Sequence, residues 1–483
     1  MAAVGEVKDE PGQPPALTSL SLAEQSQSTS QKEQVITPFD VSGGVDEHGQ
    51  AKAIDYDKLI EHFGSQRIDA TLLARFEKVT GHKPHRLLRR GMVFSHRDLT
   101  HILDKYEKGI PFYLYTGRGP SSDSMHVGHT IPFEFTKYLQ DVFDVPLVIM
   151  LTDDEKFFHS SKLTLADCHR FALQNAMDII AVGFDVKKTF IFADTDFVDQ
   201  GSGTAFSTNV RELGKRTTLN QIKGTFGFND SNNIAEFGFP AMQSAPAFAT
   251  SFPFIFGIDW KKVEKIPCLI PCAIDQDPYF RQCRDIAPKL KYIKPAIIHS
   301  VFLPSLKGSE SKMSASDADS GIFLSDTDKQ IKKKVGQAFS GGQDTRELHR
   351  EIGGRTNVDI PFQYLRFFLE DDDELERIRT DYETGKLESG EMKARCTQEL
   401  QTYVGAFRAR RKEVTEAVRD EFMRPRQLVF RGMPGEQEGQ SMRDKEIMAL
   451  EREVEKERRL REDSERRERK AIEKIERVKN QGG

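Results

Sequence analysis

Tyr115-Thr-Gly-Arg-Gly-Pro-Ser-Ser-Asp-Ser-Met-His-Val-Gly-His129 follows directly on an apolar run, Pro111-Phe-Tyr-Leu-Tyr-Thr116. A buried strand, a loop holding Gly117 and Gly119, and then a helical pattern over Pro132–Val142 form one unit. Such a unit turns backbone N–H groups and a helix start toward a phosphate-bearing ligand. His126 and His129 are three residues apart at that helix start, which predicts both imidazoles on one face. Gly128 between them leaves room for a flat ring to approach. A metal would need a third ligand, and none is placed for one, so two satisfied structural histidines are the plain alternative.

The same texture continues outward. Pro146–Thr152, Thr189–Phe192, Pro267–Pro271 and Ala296–Val301 are further short apolar runs, separated by helical patterns such as Leu165–Val182. Runs without polar alternation are expected of strands buried on both faces, so the alternation predicts an α/β domain with a parallel sheet covered by helices. Residues 55–108 before it read as short helices, including Tyr56–Phe63 and Leu72–Thr80. After residue 326 only helices are expected: Asp328–Phe339, Gln363–Phe368, Asp372–Thr384 and Gly390–Phe422.

The ends differ in composition. Residues 1–35 hold too few apolar groups to offset the entropy of ordering. Met442–Asn480 carries acid–base pairs four apart, such as Glu455/Arg459 and Glu473/Arg477, and predicts a charged, solvated helix in preference to a coiled coil. The chain divides at 1–35 (disordered tail), 36–97 (appended helical segment), 98–326 (parallel-sheet domain), 327–430 (helical domain) and 431–483 (charged helical extension).

Composition excludes other classes. In 483 residues, 37% are hydrophobic and 30% charged, with a net charge of −5, so any nucleic-acid surface must be local. Lys329–Lys334 and Arg408–Lys412 are two such basic patches, or else solvated helix faces. The five cysteines are irregularly spaced, and Cys268 and Cys272 have no second Cys/His pair nearby, so reduced thiols of a cytoplasmic protein are expected. No stretch has the length of a membrane span, and no targeting segment is expected.

One stretch remains, Ser309-Glu-Ser-Lys-Met-Ser-Ala-Ser316, which reads as an exposed, flexible loop with one lysine among small residues. A lysine on a mobile loop can close over a polyphosphate as charge develops. With His126-Val-Gly-His129 at the other end of the sheet domain, the pair resembles the two signatures of class I aminoacyl-tRNA synthetases. Tyr115–Ser122, Thr152–Lys156, Phe239–Pro246, Ala273–Arg281 and Lys312–Ser316 together resemble the eukaryotic cytosolic tryptophanyl-tRNA synthetases.

That resemblance implies a Rossmann-like catalytic domain followed by an all-α anticodon-binding domain. It implies activation of L-tryptophan by ATP with Mg²⁺, transfer to tRNA(Trp), and a homodimer. His126, His129, Lys312 and Ser314 would be catalytic. Arg118, Gly117, Gly128, Lys156 and Met313 would join them in binding ATP, and Tyr115, Met150, Glu155, Gln243 and Gln276 would surround tryptophan. Glu155 and Gln276 suit the ammonium, and the Tyr115 hydroxyl suits the indole N–H. Two positions depart from the pattern. Ala315 replaces the second lysine of the loop, and Met150 stands where a polar side chain helps to read the indole N–H.

Tyrosyl-tRNA synthetase shares the fold, but Ala273–Arg281 and Phe239–Pro246 favour tryptophan. Intact His126, His129 and Lys312 argue against a non-catalytic paralogue. The helical appendix argues against a nucleotidyltransferase that uses no tRNA.

Overall fold

The computed structural model describes residues 34–39, 41–44, 52, 54–199, 201–313 and 319–430. Expectations for residues 1–33 and 431–483 lie outside these. At the centre is a seven-stranded sheet. Its strands are β1 (Gln66–Arg67), β2 (Val93–Arg97), β3 (Tyr113–Arg118), β4 (Leu147–Leu151), β5 (Thr189–Ala193), β6 (Cys268–Ala273) and β7 (Ala296–Ser300). Their order is β1-β2-β7-β6-β3-β4-β5. The five strands from β7 to β5 are parallel, as the apolar runs predict.

Every residue of β4 and β5 is buried. Leu147, Ile149 and Leu151 enter one hydrophobic core, and Val148 and Met150 enter the other. Period-two alternation thus feeds both covered faces, which is why Thr189, satisfied by the Gln140 amide at 2.9 Å, is the one polar residue of the two strands. The first core runs on through Ile331, Val335, Tyr364, Leu400 and Val404, so the helices after residue 326 share packed surface with the sheet.

Three features differ from the sequence reading. The segment 36–97 is not wholly helical, because β2 joins the sheet antiparallel to β7 and β1 extends it. β2 reads Val-Phe-Ser-His-Arg, and its polar residues break the apolar signal a strand normally gives. Gly390–Phe422 is not one helix but two, Ser389–Glu413 and Glu416–Met423. The Thr415 hydroxyl accepts from the Val418 N–H at 3.3 Å and starts the second. Finally, the serine-rich stretch is not loop throughout. Gly308–Lys312 forms a strand paired with Pro304–Ser305, and Met313 after it is buried.

Candidate active site

β3, β4 and β6 end on one side of the sheet, with β3 between the other two. In open parallel sheets the crevice beyond such strand ends is the ordinary ligand site. A cavity of about 330 Å³ lies there, lined by Thr116–Gly119, His126, Gly128, His129, Glu155 and Lys156 on one side, with Gln243, Gln276, Phe280 and Met313 among its other walls. Far-separated segments named from the sequence are thus brought together.

The histidine pair opens the helix Val127–Phe143. The His126 N–H donates to His129 Nδ1 at 3.3 Å, and the rings stack at 3.4 Å between centroids. Burial and the nearby Arg118 charge draw His126 down to about 3, so its ring is neutral near pH 7. Both of its ring nitrogens are buried without a partner among the described residues. Arg118 donates to Asn175 Oδ1 at 3.3 Å, while its Nη2 is buried and unpartnered. Burial lowers it to about 10, which leaves it a cation. A neutral imidazole and a guanidinium with unspent hydrogen-bonding capacity face one crevice.

The two signature segments also meet. The Val127 N–H donates to Ile322 O at 2.9 Å and the Leu324 N–H to Met125 O at 3.0 Å, so the chain beyond the serine-rich stretch pairs with the histidine segment. A Cβ on Gly128 would lie 2.3 Å from Met313 Cε, and one on Gly321 would lie 2.3 Å from Met313 Sδ. Met313 is therefore clamped between two glycines, and the Tyr364 hydroxyl, which donates to the Pro304 carbonyl at 3.1 Å, lies 3.3 Å from its sulfur. Lys312 immediately precedes this anchor. Ser314 lies outside the described residues.

Glu155 is 7% exposed and pairs with Lys156 at 2.8 Å. The pair leans on Gly119, where a Cβ would come within 2.3 Å of the Lys156 stem. The two acids before it have a different task. Asp153 accepts from Thr195 Oγ1 at 2.6 Å and from the Thr195 N–H at 3.2 Å, and faces His169 Nδ1 at 3.2 Å. Asp153, Asp154 and Asp194 form a buried acidic group. Burial raises Asp154 to about 6, and burial with the Asp154 charge raises Asp194 well above the carboxylate range. This group braces the short helix that carries Glu155.

Tyr115 and Met150 are fully buried, so neither presents surface to the cavity. The Tyr115 hydroxyl donates to the Gln243 carbonyl at 2.8 Å and lies 3.2 Å from Met150 Sδ. Its one proton is committed to that carbonyl, so the hydroxyl fixes the Gln243 backbone. Gln243 and Gln276 do line the cavity.

Sequence reasoning missed several wall residues. Pro38, Val301 and Phe302 contribute, and the neighbouring Phe39 ring rests on His159 at 4.7 Å. No periodicity marks them, because they reach the site through tertiary contacts. The basic patch near 408–412 is partly structural: Arg410 donates to Ala181 O at 2.8 Å, and Arg411 pairs with Asp178 at 2.7 Å.

The model of class I tRNA synthetases (W and Y) matches residues 107–405. The cytoplasmic tryptophan–tRNA ligase of Saccharomyces cerevisiae is 56% identical over 404 residues, covering 83% of this chain and 92% of its own. The human cytoplasmic tryptophan–tRNA ligase is 55% identical over 403 residues, covering 83% of each. The solved tryptophanyl-tRNA synthetase of Giardia lamblia superposes with a TM-score of 0.72 at 42% identity, covering 78% of this chain and 98% of that one.

Proposed function

The chain belongs to the class I tRNA synthetases of the tryptophan and tyrosine branch, and from that premise we propose how its residues carry out tryptophan–tRNA ligation. Ligation of tryptophan, not tyrosine, is its activity. The tryptophan carboxylate attacks the α-phosphorus of ATP, the bond to the bridging oxygen breaks, and pyrophosphate leaves. A ribose hydroxyl at the tRNA(Trp) terminus then takes the acyl group and releases AMP. Neither step needs a covalent enzyme intermediate, so positioning and charge stabilisation are the protein's contribution.

The observation that carries the assignment of roles is the unpartnered, neutral His126 ring beside the unpartnered Arg118 Nη2. His126, with Gly128 and His129, receives the adenosine and the phosphates. Arg118 and the backbone at Gly117 hold the phosphate chain, and Lys156 adds charge beside it. Met313 seats the segment that carries Lys312 and Ser314, whose role is to stabilise the departing pyrophosphate. Glu155 and Gln276 take the ammonium of tryptophan, Gln243 closes the pocket, and the Tyr115 hydroxyl, buried behind Gln243, holds its carbonyl in place. Met150 packs behind that hydroxyl.

Mg²⁺ enters with ATP as part of the substrate. Among the described residues the acids on the cavity wall are Glu155, which Lys156 engages, and Asp275, so the ion would be held chiefly by the phosphates that bring it in. The helical domain over 327–430 takes the anticodon, and a homodimer completes the reading. The curated relatives are cytoplasmic, and this chain shares their compartment.

The deciding experiment is ATP–pyrophosphate exchange with each of the twenty amino acids, followed by charging of total tRNA. Exchange with tryptophan alone, together with charging of tRNA(Trp), is expected. Exchange with tyrosine, or none with any amino acid, would overturn the reading.

A further inference from the structure

Four polar residues that the site above does not use form one buried chain behind it. Ser95 and Arg97 lie on β2, His299 on β7, and Asp277 is the first residue of the helix Asp277–Ile286. Ser95, Asp277 and His299 are fully buried. The ionised carboxylate can only accept, which sets the direction of every bond. His299 Nε2 donates to Asp277 Oδ1 at 2.9 Å, and His299 Nδ1 meets the Ser95 hydroxyl at 2.9 Å. The Arg97 fork donates to both Asp277 oxygens, at 2.8 and 2.9 Å. Arg97 also donates to the Gly64 carbonyl at 3.1 Å, tying in the end of the helix Tyr56–Phe63.

Ser–His–Asp is the bond order of a hydrolase triad, but a serine fully buried within the sheet meets no substrate. The chain of bonds ends elsewhere. Asp277 is joined by one peptide bond to Gln276, which lines the substrate cavity. Burial alone would raise the Asp277 pKa, but the hydrogen bonds from His299 and Arg97 outweigh it and hold the carboxylate well below its usual range. A fixed anion anchored by a two-pronged cation leaves the corner at Gln276 little freedom.

We propose that Asp277, clamped by Arg97, His299 and Ser95, is a positioning residue for tryptophan recognition that sets the Gln276 amide against the substrate ammonium. It gives the N-terminal segment a part in amino-acid selection, because Ser95 and Arg97 reach the site from the strand that precedes the five parallel ones. The proposal rests on the role assigned to Gln276 above.

The test compares tryptophan with indole-3-propionate, which lacks only the ammonium, by equilibrium dialysis against the full chain. Asp277→Asn is expected to shrink the preference for tryptophan about tenfold, as loss of a supporting shell commonly does. The indole-3-propionate Kd and the KM for ATP should stay within about twofold. Equal loss for both ligands, or no loss, would overturn the proposal. Should Asp277→Asn fail to give a cooperative melt, His299→Gln carries the same comparison with the charge pair to Arg97 left in place. Gln276→Ala separates the two levels. If it shrinks the preference while Asp277→Asn and His299→Gln do not, only the positioning role is wrong. If Gln276→Ala leaves the preference intact, the ammonium reading itself is wrong and the proposal falls with it.

Discussion

Replacing Gly128 by alanine adds one methyl group at the point where the two signature segments touch. The new Cβ would sit 2.3 Å from Met313 Cε and 3.1 Å from His126 Nδ1. A methionine normally yields to such a push, but here its sulfur end already lies against Gly321 and under the Tyr364 hydroxyl. Overpacking a filled site costs about 1–3 kcal/mol. Alanine in place of glycine within a helix recovers about 0.5–1 kcal/mol. The net loss is therefore about 0–2.5 kcal/mol, and the melting temperature should drop by at most a few degrees. The larger effect should fall on chemistry. Met313 is the residue next to Lys312, and misplacing a group assigned to the chemistry by about 1 Å can cost on the order of 10²-fold in rate. ATP–pyrophosphate exchange should thus lose roughly two orders of magnitude in kcat, with the KM for tryptophan little changed. Met313→Ala in the same chain removes the clash, so the double variant should melt higher than the sum of the single effects. Exchange at the wild-type rate in Gly128→Ala, or strict additivity in the double variant, would refute the clamp.

Lys312→Ala should lower exchange by about 10²–10³, as loss of one transition-state donor does, and leave tryptophan affinity unchanged; wild-type exchange would remove Lys312 from the mechanism. Tyr115→Phe unpairs the buried Gln243 carbonyl, a cost of about 1–3 kcal/mol, and should weaken tryptophan binding markedly. Met150→Leu conserves volume and should cost less than about 1.5 kcal/mol; exchange kinetics with tryptophan would expose a reversed order. Asp194→Asn tests the buried acids. A carboxyl raised in the folded state binds its proton more tightly there than when unfolded, so wild-type stability falls as pH rises from about 4 through the raised values, near 6 for Asp154. His126, lowered to about 3, contributes the opposite slope in both proteins and cancels in the comparison. The melting temperature of the variant relative to wild type should therefore climb between pH 4 and 8, and a flat difference would show that the acids titrate normally.

The amino-acid sequence by itself determined the parallel sheet, because strands covered on both faces are largely apolar, and several short runs such as Leu147–Leu151 alternate with helical patterns. It pointed to the chemistry as well, since the glycine loop at Gly117–Gly119, the histidine pair and the lysine stretch together resemble the signatures of the class I aminoacyl-tRNA synthetases. Tertiary structure alone decided the rest. β2 was hidden because Ser95 and Arg97 look like surface residues until His299 and Asp277, 204 and 180 positions away, satisfy them. Met313 looked exposed because its neighbours are polar, and its burial depends on two glycines in other segments. No local pattern gave Asp153 and Asp154 a task, and only the fold, through Thr195 and Asp194, turns them inward to hold the helix of Glu155. Periodicity reports what a residue needs along its own element, whereas a polar residue's partner is set by which distant element the fold brings beside it.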